Sequence, residues 1–282
     1  MTMVVSTDML VAGTHFLPDT DSGALGWKCL AVNVSDLAAM GAQPRWALLA
    51  VALPEANEPL IAAFAEGFFA CAETFGIDVI GGDTTRGPMN FCVTIFGEVP
   101  PGQALLRSGA RAGDEIWISG TPGRAALGLA HLQGHCVLSE PALTDCLTAL
   151  HRPQPRTALG LALRSLATSA IDISDGMLAD LGHILEQSGV AATIQLEQLP
   201  VLPPCPDLAL ARECQLAGGD DYELAFTAAS EDHSEITALA TKLGVKLTCV
   251  GHITAGSSPV VTLLDAGQNI WSAPRLGFDH FA

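Results

Sequence analysis

Acids lie beside glycines and hydroxyls at five places along this chain. They are "STD" at 6–8, Asp36 in "NVSDLAAMG", "IGGDTTRG" at 80–87, "DISDG" at 172–176 and "GGDD" at 218–221. Most follow an apolar run that reads as a strand, and loops at strand ends are common ligand sites in α/β proteins. "IGGDTTRG" poses the chemical question most clearly. Its backbone amides and hydroxyls suit a phosphate, but Asp83 would repel one. A cation between the carboxylate and the phosphate removes the conflict. Mg²⁺ fits, because it is a hard ion held by a few carboxylates, waters and phosphate oxygens. Several converging carboxylates would in any case repel one another without such an ion.

Each feature also has a purely structural reading. An Asp before a helix is commonly its N-cap, Asp36 could open a helical turn, and Gly-Gly before an acid commonly makes a tight turn. Only their joint occurrence favours a metal–phosphate site. Other templates fit poorly. The three lysines, Lys28, Lys242 and Lys246, lie outside any GxxxxGK[ST] loop, which excludes a P-loop. "SGTPG" at 119–123 is not a dinucleotide-binding fingerprint, and neither HExxH nor GxSxG occurs. Among the histidines, His15 stands out, beside Gly13 and Thr14 at a strand end.

The elements that must position these residues alternate. A strand is predicted from the first residues ("MVVSTDMLV"), then a helix over "WKCLAVNVSDLAAMGAQP" stopped near Gly41 and Pro44. "RWALLAVALP" reads as a strand, "EPLIAAFAEGFFACAETFG" as a helix closed by Gly76, "IDVIGGD" as a short buried strand running into a glycine turn, and "NFCVTIFGEVP" as a strand. Pro100, Pro101 and Gly102 then break the pattern, placing a domain boundary at about 100–112. The second half repeats the style. Strands are expected over "DEIWISG", "SAIDISD", "AATIQLEQL", "ELAFTAA" and "KLTCVGHIT". Helices are expected over "RAALGLAHLQG", "RTALGLALRSLA", "MLADLGHILEQSG" and "SEITALATKLG". Two α+β or α/β domains are expected, residues 1–108 and 109–282.

Composition narrows the partners. The 282 residues are 49% hydrophobic, enough for sizeable cores, and carry 13 basic against 30 acidic residues for a net charge of −17. That argues against nucleic acid and anionic membranes, which select a basic face. The eight cysteines show no CxxC spacing and are expected to be reduced thiols. With no signal peptide and no long apolar run, the expected location is cytoplasmic.

Together the motifs resemble one family, the thiamine-monophosphate kinases of the aminoimidazole-ribonucleotide-synthetase-like superfamily. The matching stretches include "STDMLVAGTHF" (6–16), "KCLAVNVSDLAAMGAQP" (28–44), "IGGDTTRGP" (80–88), "LLRSGARAGDEIWISGTPG" (105–123), "RPQPR" (152–156), "AIDISDGMLADLGHI" (170–184), "GGDDYEL" (218–224) and "GFDHF" (277–281). The resemblance implies a two-domain PurM-like architecture: an N-terminal α+β domain that pairs with its twin in a homodimer, and a C-terminal domain with a ferredoxin-like core. It implies transfer of the γ-phosphoryl group of ATP directly to thiamine monophosphate, with several Mg²⁺ ions. Sister enzymes acting on selenium or purine-pathway compounds share the acids and glycines.

Carried over by motif, Ser6, Thr7, Asp8, Asp36, Asp83, Asp172 and Asp175 are expected metal ligands. Gly82, Asp83, Arg107 and Ser174 are expected ATP contacts, and His15, Asp220 or Asp221, and Phe278 substrate contacts. The family also has an upstream segment with a further metal-binding aspartate. By resemblance this sequence starts at the strand after it, which implies one ligand and one strand fewer, and leaves open a nucleotide-binding protein of impaired activity.

Overall fold

The computed structural model describes residues 1–256 and 258–278. The first half forms a four-stranded sheet of order β1-β4-β2-β3. Its strands are β1 (Thr2–Val11), β2 (Gln43–Leu53), β3 (Asp78–Arg86) and β4 (Asn90–Val99). Helices α1 (Ser22–Ala39) and α2 (Glu58–Phe75) cover one face of this sheet.

The helix ends follow from local chemistry. Asp21 accepts the Ala24 N–H at 2.8 Å to open α1. Asn57 accepts the Leu60 N–H at 3.1 Å to open α2, and Gly76 closes α2 in the left-handed conformation at φ 65°. Nearly every residue of α1 from Ala24 to Ala39 is buried. A helix apolar on all sides belongs inside a protein, and α1 packs between α2, the first sheet and elements of the second half. Where it meets the second half, a side chain at Gly160 would run into the Ala38 carbonyl.

The second half builds a seven-stranded sheet of order β11-β10-β7-β9-β5-β8-β6. Its strands are β5 (Glu115–Ser119), β6 (Ala167–Asp172), β7 (Ala191–Gln195), β8 (Leu224–Ala228), β9 (Leu247–Thr254), β10 (Val261–Leu264) and β11 (Ile270–Trp271). The helices are α3 (Arg124–Leu132), α4 (Ala142–His151), α5 (Thr157–Leu163), α6 (Met177–Ser188), α7 (Leu208–Ala217) and α8 (His233–Leu243). Strand alternation assigns the two faces. Ile116, Ile118, Ile171 and Ala225 pack with α6, while Trp117, Ala170 and Phe226 pack with α5 and α8. With both faces covered, β8 is buried at every residue. The expected fold class is the observed one.

Several expectations need correction. "IDVIGGD" is neither buried nor a strand ending in a glycine turn. β3 runs on through both glycines to Arg86 and is largely exposed. Gly82 (φ 159°) is needed because a Cβ there would strike the Leu49 backbone of β2, while Ile80 is accommodated as a bulge. Asp8 and Asp83 therefore lie within strands, not at strand ends. Helices α4 and α7 and strands β10 and β11 were not anticipated. All eight cysteines are free thiols, and among the described residues no helix is long and apolar enough to cross a membrane.

Candidate functional site

A cleft of about 810 Å³ opens where the two sheets meet. Among the carboxylates that line it are Asp8 from β1, Asp36 from the buried helix α1, and Asp172 from the end of β6, with Asp175 just beyond. The period-2 pattern of β1 puts Ser6 and Asp8 on the helix-facing side. Ser6 Oγ donates a short hydrogen bond to Asp36 Oδ2. Ser35 Oγ donates to Asp172 Oδ2 at 2.7 Å, tying α1 to the second sheet. The backbone N–H of Asp8 donates to Asn33 Oδ1 at 3.1 Å. The same alternation sends Thr7 the other way. Its hydroxyl meets Thr94 on the opposite, open face of the sheet, so only the backbone of Thr7 can face the cleft.

The acids disfavour one another's ionisation. Burial first, then the charge of Asp36, pushes the Asp8 carboxyl up to about 7. Burial raises Asp36 against hydrogen bonds from Ser6 and Asp8 and the charge of Arg107, and burial with the charge of Asp36 raises Asp172 far more. The charge of Arg107 thus reaches Asp36, although Arg107 is exposed and outside the residues that line the cleft. This donor set, all hard oxygen and over-rich in negative charge, suits a divalent cation. Among the described residues no three such side chains are drawn in tightly enough to hold a metal alone. A cation here would share its coordination with water and phosphate oxygens.

The loop "DISDG" is held by an acid that sequence reasoning missed. Asp180 Oδ2 accepts the N–H groups of Ser174, Asp175 and Gly176 at 3.0, 3.0 and 3.1 Å, which fixes Ser174 and Asp175 at the cleft. Desolvation, then the charge of Asp175, pushes Asp180 up to about 7.

The "GGDD" pair divides its roles. Asp221 is buried and caps α3 from a distance, accepting the N–H groups of Gly123 at 2.5 Å and Ala125 at 3.3 Å. Gly123, at the N-cap, has no side chain to do this. Asp220 lines the cleft and pairs with Lys28 of α1 at 3.0 Å. His15 lines the same cleft, and its Nδ1 accepts the Val11 N–H at 3.0 Å. That contact places the proton of a neutral ring on Nε2. Phe278 also lines the cleft, its N–H donating to the Asp175 carbonyl at 2.9 Å. The match at 279–281 lies outside the described residues.

Gly82 and Asp83 are not brought to this cleft. One cross-strand row runs Asp8–Val93–Leu49–Gly82. Three strand spacings of about 4.8 Å separate its ends by about 14 Å, too far for Asp8 and Asp83 of one chain to share an ion. Asp83 is exposed, and its carboxylate accepts the Thr84 N–H at 2.9 Å.

One pH prediction follows. The carboxyls of Asp8, Asp36, Asp172 and Asp180 have folded pKa values above the usual 3.8. Between about pH 4 and 7 the folded chain therefore binds more protons than the unfolded one, so stability falls as pH rises. His151, lowered by burial, opposes this with a single group. Thermal unfolding in EDTA should show Tm falling across that window, and added Mg²⁺ should raise Tm more at pH 8 than at pH 5. A flat or rising Tm in EDTA would show that the acids do not crowd one another.

Comparison with known proteins agrees with this fold. The model for the AIR synthase related protein N-terminal domain matches residues 1–99, and that for the C-terminal domain residues 111–263. The thiamine-monophosphate kinase of Salmonella typhimurium is 44% identical over 100% of this chain and 87% of its own length. A crystal structure of thiamine-monophosphate kinase from Stenotrophomonas maltophilia K279a superposes with a TM-score of 0.87 at 45% identity, covering 95% of this chain and 86% of that one. A structure of AaThiL complexed with AMPPCP and TMP superposes with a TM-score of 0.83 at 30% identity, covering 99% and 87%. With both family domains in order and close relatives matched along its whole length, this chain belongs to the thiamine-monophosphate kinase family.

Proposed function

We propose that the chain transfers the γ-phosphoryl group of ATP in line onto the phosphate of thiamine monophosphate, giving thiamine diphosphate and ADP. The observation that carries this is the convergence of Asp8, Asp36 and Asp172, from three elements of two sheets, on one cleft where they repel. Joining two phosphate anions makes charge compensation and alignment most of the catalytic problem. The Thr7 backbone, Ser6, Asp8, Asp36, Asp172 and Asp175 would hold Mg²⁺, which supplies positive charge to the phosphates. Arg107 and Ser174 contact the ATP phosphates, and His15, Asp220 and Phe278 orient the acceptor. Residues 1–108 and 109–282 are the two domains, and α1 is the floor they share. Incubation with ATP, Mg²⁺ and thiamine monophosphate tests the reading. Thiamine diphosphate should form, and not in EDTA. ATP bound but never turned over with this acceptor would sink it.

The open face of the first sheet carries Met3, Val5 and Met9, all more than half exposed. An apolar sheet face of this kind marks an interface, and we propose that a second copy covers it. Asp83 would then act in the partner's cleft, since it cannot reach its own. Mixing inactive Asp83→Asn and Asp36→Asn chains should restore about a quarter of the activity, from the mixed dimers that keep one intact site. No recovery after subunit exchange would place Asp83 outside the chemistry.

A further inference from the structure

We propose that Lys28 and Asp220, which neutralise each other across the cleft, separate onto opposite ends of the acceptor. Lys28 takes the phosphate monoester, and Asp220 takes the organic cation joined to it. This rests on the acceptor proposed above and makes the pair the reader of a substrate that carries both charges.

Of the three lysines, Lys28 alone is buried, at 4% exposure; Lys242 and Lys246 are exposed. An ammonium inside a protein needs a partner. The one within 4 Å among the described residues is Asp220 Oδ2, at 3.0 Å, from the other half of the chain. The other oxygen, Oδ1, accepts the Tyr222 hydroxyl at 3.1 Å. Asp220 and Tyr222 both hold left-handed backbones, at φ 69° and 52°. They are pinned there by Asp220 N–H to the Ser174 carbonyl and Tyr222 N–H to the Ile173 carbonyl, each 2.8 Å. Non-glycine residues in that region persist only where their surroundings hold them, and they gather at ligand sites. Lys28, Asp220 and Tyr222 all line the cleft.

Charge decides what the pair can do. The cleft also holds Asp8, Asp36, Asp172, Asp175 and Glu213, so an incoming phosphate monoester meets few cations on this wall. Lys28 has three N–H donors and one ionic partner, which leaves donors for a phosphate. If Lys28 turned to the phosphate alone, Asp220, 29% exposed, would lose its cation while facing the other acids of the cleft, an unfavourable state. A ligand with a cationic ring a few ångströms from its phosphate, such as a thiazolium, replaces both partners at once. A bare phosphate or a bare cation satisfies only half. Discrimination thus comes from the charge that the wrong ligand would strand.

Calorimetry with thiamine monophosphate, unphosphorylated thiamine and inorganic phosphate, on Lys28→Met and Asp220→Asn, tests this. Lys28→Met should weaken thiamine monophosphate by on the order of 10²-fold and leave thiamine unweakened. Asp220→Asn should weaken thiamine and its monophosphate, while inorganic phosphate binds more tightly than to the wild type. If Lys28→Met shifts thiamine and its monophosphate by one common factor, or Asp220→Asn leaves phosphate affinity unchanged, the pair is only a tie between domains. Should Lys28→Met fail to fold, the phosphate arm of Asp220→Asn decides alone. That arm does not depend on the acceptor's identity. A wild type that binds neither thiamine compound, beside an Asp220→Asn with raised phosphate affinity, would overturn the proposed acceptor and leave the charge exchange standing.

Discussion

Replacing Asp36 with asparagine is expected to lower turnover by on the order of 10²–10³-fold, the usual loss when a central electrostatic group is removed. Asp36 sits on the one helix that both halves of the chain bury, takes the Ser6 hydroxyl, and raises the carboxyls of Asp8 and Asp172. Asparagine keeps the shape and can still accept from Ser6, so the fold should survive. The same variant should be more stable than the wild type in EDTA, because one of the mutually repelling charges has gone. Steady-state rates at saturating ATP and Mg²⁺, beside thermal unfolding without metal, check both parts. A variant that keeps more than about a tenth of the turnover, or that is destabilised in EDTA, would make Asp36 a structural residue.

The largest effect on stability is expected at Glu223. Glu223 is 3% exposed. Arg156 grips it with two bonds of 2.6 and 2.5 Å, and Ser119 Oγ donates to it at 2.5 Å. Ser119 Oγ in turn accepts the Leu224 N–H at 2.9 Å. One carboxylate thus joins "RPQPR", the end of β5 and the strand after "GGDD". Glu223→Ala leaves the largely enclosed Arg156, 21% exposed, without its counter-charge, and urea unfolding should show a loss of about 3 kcal/mol. The double variant Glu223→Leu with Arg156→Met should recover much of that loss, since an apolar pair of similar volume can match a buried ion pair. A single-variant loss under about 1 kcal/mol would mean that solvent can stand in for Glu223 at the arginine.

How much of this was legible from the chain depends on which forces are local. Asn57 before α2, Gly76 after it and the apolar run between them act within a few residues, so that helix was predicted to its ends. The acids of "STD", "DISDG" and "GGDD" were legible as a group because chemistry limits what so many carboxylates beside glycines can do. What their side chains touch was not. Thr7 and Asp8 are neighbours in sequence, yet the strand sends them to opposite faces. Asp220 and Asp221 are neighbours too, but one meets Lys28 across the cleft and the other caps a helix. Those partners lie many residues away and are set by packing. "IGGDTTRG" misled because two glycines read as a turn, whereas Gly82 is there for the approach of β2. Lys28 offered one signal, a positive charge between Trp27 and Cys29 in a largely apolar helix. Such a charge is buried only with a partner.

The central claim is that the acid-lined cleft holds two phosphates in line and passes one group directly between them. Rapid-quench mixing of the protein with Mg²⁺, thiamine monophosphate and ATP labelled in the γ-phosphate tests it most directly. The account predicts that label leaves ATP and enters the terminal phosphate of thiamine diphosphate at the same rate, with no label on the protein at any time. Labelled protein that forms and decays before product, or label released as orthophosphate with thiamine monophosphate unchanged, would contradict it.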